Sequence, residues 1–202
     1  MENRPKQMDQ KKSEKAAAIG KTAAALFNQK GYLETSMDDI SIVAQLSKGG
    51  IYHYFSSKHE ILYFISTNYM DLLLKDLEQE LKKIDGSLLK IKFVISRHID
   101  AYTKYTSEAK TTLHEAHLLP PQYFKIYSGK ERKYYRIVAD VLSEVIGKPI
   151  PKSQLRVITF TLLGMCNWIY HWYKPKGYVT PSELSETITN IFSVGIMGYR
   201  GE

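Results

Sequence analysis

The sequence predicts an all-α protein with an N-terminal three-helix head, built around a helix-turn-helix, and a larger C-terminal helical domain. Three observations predict it. Apolar residues recur at i, i+3, i+4 spacing along most of the chain, Gly and Pro clusters punctuate these stretches, and no strand-length alternation or internal repeat interrupts them. The expected division is a small head at residues 1–57 and a larger second domain at residues 58–202.

The first helix is Ala-rich and closes near Phe27, Gly31 and Tyr32. Ser36 then suits the N-cap of a second helix, with Asp39 at the capping-box position and Ile40, Val43 and Ala44 spaced as a buried face. Ser47 caps a third, very short helix whose Ile51 and Phe55 turn inward at i, i+4. That leaves Lys48, Gly49, Gly50, Tyr52, His53 and Tyr54 facing outward, which is what a phosphate backbone and the major groove require of a recognition helix. Ser57 and Glu60 form an S-x-x-E box opening the next helix, with Lys58 in its first turn.

That fourth helix carries Ile61, Leu62, Ile65, Tyr69, Leu72, Leu73, Leu77, Leu81 and Ile84 at helical spacing. Continuous to Ile84, it is a rod of about 40 Å that touches both domains, so its tilt would move the head. Further helices are expected over Leu88–Thr106, Glu108–Leu118, Pro121–Ile146, Lys152–Tyr173 and Pro181–Tyr199. The intervening breaks are Leu119-Pro120-Pro121, the Gly147–Pro151 stretch and Lys174-Pro175-Lys176-Gly177. Thr180-Pro181-Ser182-Glu183 combines a cap, a proline at the first helical position and a capping-box acid.

Composition narrows the function classes. The net charge is +7 with a pI near 9.2, and Lys11, Lys12, Lys15 and Lys21 on the first helix suit backbone phosphates. Residues 1–8 read as a solvated basic tail. A single cysteine, Cys166, leaves no intramolecular disulfide and fits a reducing cytoplasm. The opening MENRPKQ is not a signal peptide, and the apolar run Val157–Tyr173 is shorter than the roughly 20 residues of a spanning helix and holds polar residues, so no membrane association is expected. His114-Glu115-Ala116-His117 lacks the i, i+4 spacing of a zinc helix, no metal site or catalytic residues emerge, and the chain does not read as an enzyme.

The run Asp39-Ile40, Val43-Ala44, Ser47-Lys48-Gly49, Ile51 to Phe55, Ser57-Lys58 and Glu60 resembles the N-terminal signature of TetR-family transcriptional regulators. Gln45 stands where that family's turn usually has Gly, which requires a non-glycine residue at positive φ. Gly50 stands where a contacting Thr is common, removing one hydroxyl. With the resemblance, Lys48, Tyr52 and His53 are expected at or beside base edges, Thr35, Ser36, Tyr54 and Lys58 at phosphates, and Gly49 and Gly50 within the same DNA-binding surface.

The second domain is rich in aromatic residues. Tyr102, Tyr105, Phe124, Tyr127, Phe160, Met165, Trp168 and Trp172 are expected as a set to frame an effector pocket, although any single ring is better explained by an ordinary core. Asn167 to Pro175, followed by Gly177 and Tyr178, resembles the corresponding stretch of TetR-family regulators that answer to fatty-acyl or other acyl-CoA thioesters. Lys130, Arg132 and Lys133 would then meet phosphates, or else form a solvated helix face. Leu155, Ile158, Leu162 and Ile169, with Leu184, Ile188, Ile191, Phe192 and Ile196, give apolar surface that the resemblance assigns to a homodimer. A two-fold dimer implies a pseudo-palindromic double-stranded DNA operator. The implied protein is a cytoplasmic repressor without a cofactor, released from its operator by an acyl-CoA or related hydrophobic effector. The alternatives are a regulator of drug efflux answering to uncharged aromatic or cationic compounds, and an architectural DNA-binding protein without a ligand.

Overall fold

The computed structural model describes residues 4–174 and 177–198. Among the described residues it forms ten α-helices, two short 3-10 turns and no strand, as the sequence requires. In order the helices are α1 (Arg4–Lys30), α2 (Met37–Val43), α3 (Lys48–Tyr52), α4 (Lys58–Leu74) and α5 (Leu77–Lys82), then α6 (Ser87–Lys104), α7 (Thr106–Glu115), α8 (Pro121–Ile146), α9 (Lys152–Asn167) and α10 (Pro181–Met197). Part of the tail expected over residues 1–8 is helical, since α1 starts at Arg4; residues 1–3 and Tyr199, the expected end of the last helix, lie outside the described residues.

The chain divides into two compact units, Met1–Tyr69 with Ser107–Tyr127, and Met70–Thr106 with Ser128–Glu202. The sequence division at residues 57 and 58 has a simple local basis, the start of α4, but the first unit extends further. Asn28 Nδ2 donates to the Ser107 carbonyl (2.9 Å) and Thr111 Oγ1 to the buried Ala24 carbonyl (3.3 Å), fastening α7 to α1. Tyr123, at the start of α8, stacks on Tyr63 of α4 with centroids 4.5 Å apart. The interior of this unit is Ile19, Ala23, Phe27, Tyr32, Ile40, Ile51, Phe55, Ile61, Leu62 and Ile65.

In the second unit α10 packs chiefly on α6, and α9 contacts both. Ile91, Val94, Ile95 and Ile99 of α6 form its centre with Val138 and Leu142 of α8, Leu162 of α9 and Leu184 and Ile188 of α10. Thr180 and Glu183 form the reciprocal capping box that sets the start of α10 behind Pro181.

The expected rod to Ile84 is interrupted. Helix α4 ends at Leu74, so its 17 residues span about 25 Å, and Asp76 takes a left-handed φ of 55° before α5 begins. Asp tolerates this region better than most residues. The carbonyls released at the break are taken by Arg97 of α6, whose guanidinium donates to Leu72, Leu73 and Lys75 oxygens at 2.9, 3.0 and 2.5 Å. The expected Lys152–Tyr173 helix is also shortened: α9 stops at Asn167 and Trp168–His171 tightens into a 3-10 turn.

Candidate functional site

The reading head is built by three capping interactions. At α2, Ser36 Oγ accepts from the Asp39 amide (3.0 Å) while Asp39 Oδ2 accepts from the Ser36 amide (2.8 Å). Lys30, 2.7 Å from the same carboxylate, and Ser36 hold Asp39 well below the usual carboxylate range. At the turn, Gln45 has φ 54°, with its amide bonded to the Ile42 carbonyl and the Leu46 amide to Ser41. This is a Schellman closure with glutamine in the left-handed position where glycine is the unstrained choice. At α3, Ser47 Oγ accepts from the Gly50 amide at 3.0 Å. A Cβ on Gly50 would lie 3.2 Å from that oxygen, so a threonine there would press on the cap.

These caps fix what faces outward. Ile51 and Phe55 are buried, with Phe55 edge-on to Phe64 at 5.2 Å. Lys48, Gly49, Tyr52 and His53 are exposed, Gly50 and Tyr54 half-buried, and the Tyr54 ring stands edge-to-face on His53 at 5.1 Å. Lys48 pairs with Asp38 at 2.9 Å. An exposed pair of this kind is screened by water and salt, so a phosphate or base edge competes with it readily.

Four head residues differ from the sequence expectation. Val43 is exposed, because Ile40, Ser41 and Ala44 share the inward face of the two-turn α2 and Val43 falls about 60° to the other side of Ile40. Thr35 is buried and its hydroxyl donates to the Gly31 carbonyl at 2.6 Å, which turns it away from solvent. Glu60 reaches past Ser57 to the amide and hydroxyl of Ser56 (2.6 and 2.7 Å), so the box opening α4 is only half formed on Ser57. Lys58 is turned into the head. Its ammonium donates to the carbonyls of Tyr32 (2.6 Å), Leu33 (3.1 Å) and Thr35 (2.7 Å) and lies 4.5 Å from the centre of the Tyr32 ring. All three N–H donors face protein oxygens, and burial draws its pKa down. Ser36 remains exposed at the edge of the same loop.

The residues expected to frame a pocket fall in both units. Phe124 and Tyr127 belong to the first unit, and the others to the second. Tyr102 and Tyr127 are buried, Tyr105 and Met165 half-buried, and Phe160, Trp168 (61 %) and Trp172 (53 %) exposed. Phe160 lies against Tyr135, and Trp168 against His171 at 4.0 Å. The basic cluster meets acids that α8 does not itself supply: Lys130 pairs with Asp71 and Lys133 with Glu78 (2.8 Å), while Arg132 donates to Ser128 at 3.1 Å. These acids come from the end of α4 and from α5, and same-helix spacing does not reveal them.

Sequence reasoning missed a buried polar line in the second unit. His98 Nδ1 lies 3.0 Å from the Tyr134 hydroxyl and Nε2 lies 3.0 Å from Asn167 Oδ1. Burial pushes His98 down to about 4, partly offset by the bond to Asn167. One turn on, Tyr102 is buried and its hydroxyl has no hydrogen-bond partner among the described residues. The signal was present: His98 falls on the apolar face of α6 with Ile91, Val94 and Ile95, where a histidine needs partners. Cys166 is also interior, its thiol pushed up to about 12, which is a filler rather than a nucleophile.

The apolar residues expected at a dimer interface mostly serve the chain's own interior. Leu162, Ile169, Leu184, Ile188, Phe192 and Ile196 are buried within the second unit, and Leu155 and Ile158 are half-buried. Ile191 (62 %) is exposed, and with it Val194 (70 %) on α10 and Val157 on α9. Gly164 and Gly195 have open space where a Cβ would stand. Among the described residues no group of three or more His, Cys, Asp or Glu is placed to hold a metal, and no helix is long and apolar enough to cross a membrane.

Residues 19–63 match the family described as bacterial regulatory proteins, tetR family, and residues 88–196 match the tetracyclin repressor-like C-terminal domain. The chain belongs to the TetR family. It is therefore a DNA-binding transcriptional regulator, with α2 and α3 as its helix-turn-helix. Among its relatives, a TetR-family regulator from Bordetella parapertussis 12822 is 30 % identical with a TM-score of 0.84, over 88 % of this chain and 93 % of that one. The crystal structure of AibR in complex with isovaleryl coenzyme A and operator DNA is 27 % identical with a TM-score of 0.76, over 88 % and 97 %. The transcriptional repressor KstR2 of Mycobacterium tuberculosis is 23 % identical over 177 residues, 86 % of this chain and 88 % of that protein.

Proposed function

We propose that this TetR-family protein is a ligand-responsive repressor that binds a pseudo-palindromic operator as a homodimer and is released by an acyl-CoA thioester. The observation that carries this reading is the likeness to AibR, whose structure holds isovaleryl coenzyme A and operator DNA together, across nearly the full length of both chains. The outward set Lys48, Gly49, Tyr52 and His53, with Gly50 and Tyr54 behind it, is assigned to base edges and neighbouring phosphates, and Ser36 to a phosphate. Lys58 is reassigned from phosphate contact to holding the loop that presents Ser36. The dimer face is moved outward to Val157, Ile191 and Val194, where apolar surface is left over after the chain has filled its own core. No cofactor is required, and a cytoplasmic location follows from the role.

A second reading has one specific support. Lys130 and Lys133 already face Asp71 and Glu78, which weakens their case as phosphate ligands and favours an uncharged hydrophobic effector. Fluorescence anisotropy separates the two. An operator duplex selected by the protein is bound, then isovaleryl-CoA, longer thioesters, free CoA, a fatty acid and hydrophobic cations are titrated in. Release by a thioester but not by free CoA is the expected result; release only by a compound without CoA selects the second reading.

A further inference from the structure

The interior of the second unit holds two buried hydroxyls without a hydrogen-bond partner among the described residues, those of Tyr102 and Tyr173. Tyr102 is 1 % exposed, and its hydroxyl has no hydrogen-bond partner among the described residues. Its polar neighbour one turn earlier on the same face of α6 is already satisfied. An amide oxygen only accepts, so His98 carries its hydrogen on Nε2 and gives it to Asn167 Oδ1, and Nδ1 accepts from the Tyr134 hydroxyl. Both ring nitrogens are thereby used. Buried hydroxyls are nearly always paired, so the Tyr102 hydroxyl calls for an acceptor that the described residues do not supply.

The surroundings say what kind of group that is. His98 is held neutral, its pKa near 4, so it offers no cation to a carboxylate or phosphate. Tyr102 is pushed up to about 12 by burial and then by Tyr170, so it stays protonated and donates. The rest of the same face of α6 is Ile91, Val94, Ile95 and Ile99. Tyr173 also has an unpartnered hydroxyl, but the Glu183 carboxylate acts on it, and it does not select a neutral group.

We propose that the Tyr102 hydroxyl recognises a neutral carbonyl oxygen on the effector, the group that a thioester and a ketone share. This rests on the reading of the chain as an effector-responsive repressor, and it adds the atom by which the acyl part is recognised. A site built around a buried donor discriminates against an analogue that lacks the acceptor, because the donor is then left unpaired.

The test compares matched pairs in operator release. One pair is isovaleryl-CoA and the S-alkyl thioether of CoA with the same carbon skeleton. The other is a hydrophobic ketone and its methylene analogue. In the wild-type protein at least one carbonyl compound is expected to release the operator at a concentration about tenfold lower than its partner. In Tyr102→Phe that ratio should fall to about one, with a thermal midpoint unchanged or raised because a buried unpaired donor has gone. Equal potency within both pairs overturns the proposal with no variant needed, as does a ratio that survives in Tyr102→Phe, or failure of both pairs to release the operator. Discrimination within the ketone pair alone upholds Tyr102 and removes the thioester reading. Release by both CoA compounds alike, with no discrimination within the ketone pair, upholds a CoA-linked effector and removes Tyr102.

Discussion

Replacing Lys58 by methionine separates a structural role from a DNA-contact role. The ammonium makes three bonds of 2.6–3.1 Å to the carbonyls of Tyr32, Leu33 and Thr35. Bonds to a charged donor are worth about 1.5–3 kcal/mol each, but the ammonium is partly desolvated and water reaches the exposed Leu33 carbonyl, so the net loss is about 2–3 kcal/mol. Methionine keeps the stem and much of the contact with the Tyr32 ring. At about 2–4 °C per kcal/mol for a chain of this size, the melting midpoint should fall by about 5–10 °C. Amide exchange should rise first in the loop from Tyr32 to Ser36. Operator affinity should weaken while the slope of log affinity against log salt stays as in the wild type. An unchanged midpoint with a slope reduced by about one would refute this reasoning and return Lys58 to the phosphates.

His98 gives a pH dependence. Its folded value lies near 4 and its unfolded value near 6.5, so the unfolded chain binds the extra proton in that window. Its contribution is complete above 6.5 and is lost as pH falls, amounting to about 2 kcal/mol between pH 7 and 5; His98→Gln should flatten that part of a urea-denaturation series, and a series equally steep in both proteins would argue against it. Gln45→Gly relieves the left-handed strain at φ 54° and should raise stability by about 0.5–1 kcal/mol, read from thermal melts, whereas glycine inside a helix destabilises. Ile191→Glu should split the proposed dimer into folded monomers in sedimentation, whereas Phe192→Glu, placing a carboxylate inside the subunit, should lose several kcal/mol of folding stability. A dimer as tight as wild type in Ile191→Glu would remove α10 from the interface.

Local signals in the sequence were the most legible. Ser36 with Asp39, Ser47, and Thr180-Pro181 with Glu183 each specify a helix start through bonds spanning three residues, and each forms. The positive φ at Gln45 was legible through the family resemblance, which places glycine at that position of the turn. The inward direction of Ile51 and Phe55 followed from periodicity. What escaped were pairings across helices. The acids facing Lys130 and Lys133, the carbonyls that capture Lys58 and the Arg97 cap on α4 all depend on tertiary packing that no single-helix pattern encodes. Periodicity likewise cannot say which apolar face of α10 meets α6 and which is left over, so Phe192 and Ile191 looked alike in sequence and differ in burial.

The central claim is that operator and effector bind to one protein with opposed preferences. The direct measurement is calorimetric titration of isovaleryl-CoA into the free protein and into the protein saturated with operator. Linkage requires that the factor by which operator weakens thioester binding equal the factor by which thioester weakens operator binding. A tenfold effect corresponds to about 1.4 kcal/mol of coupling. The account predicts equal factors of about ten or more. Thioester binding of the same affinity with and without operator would contradict it.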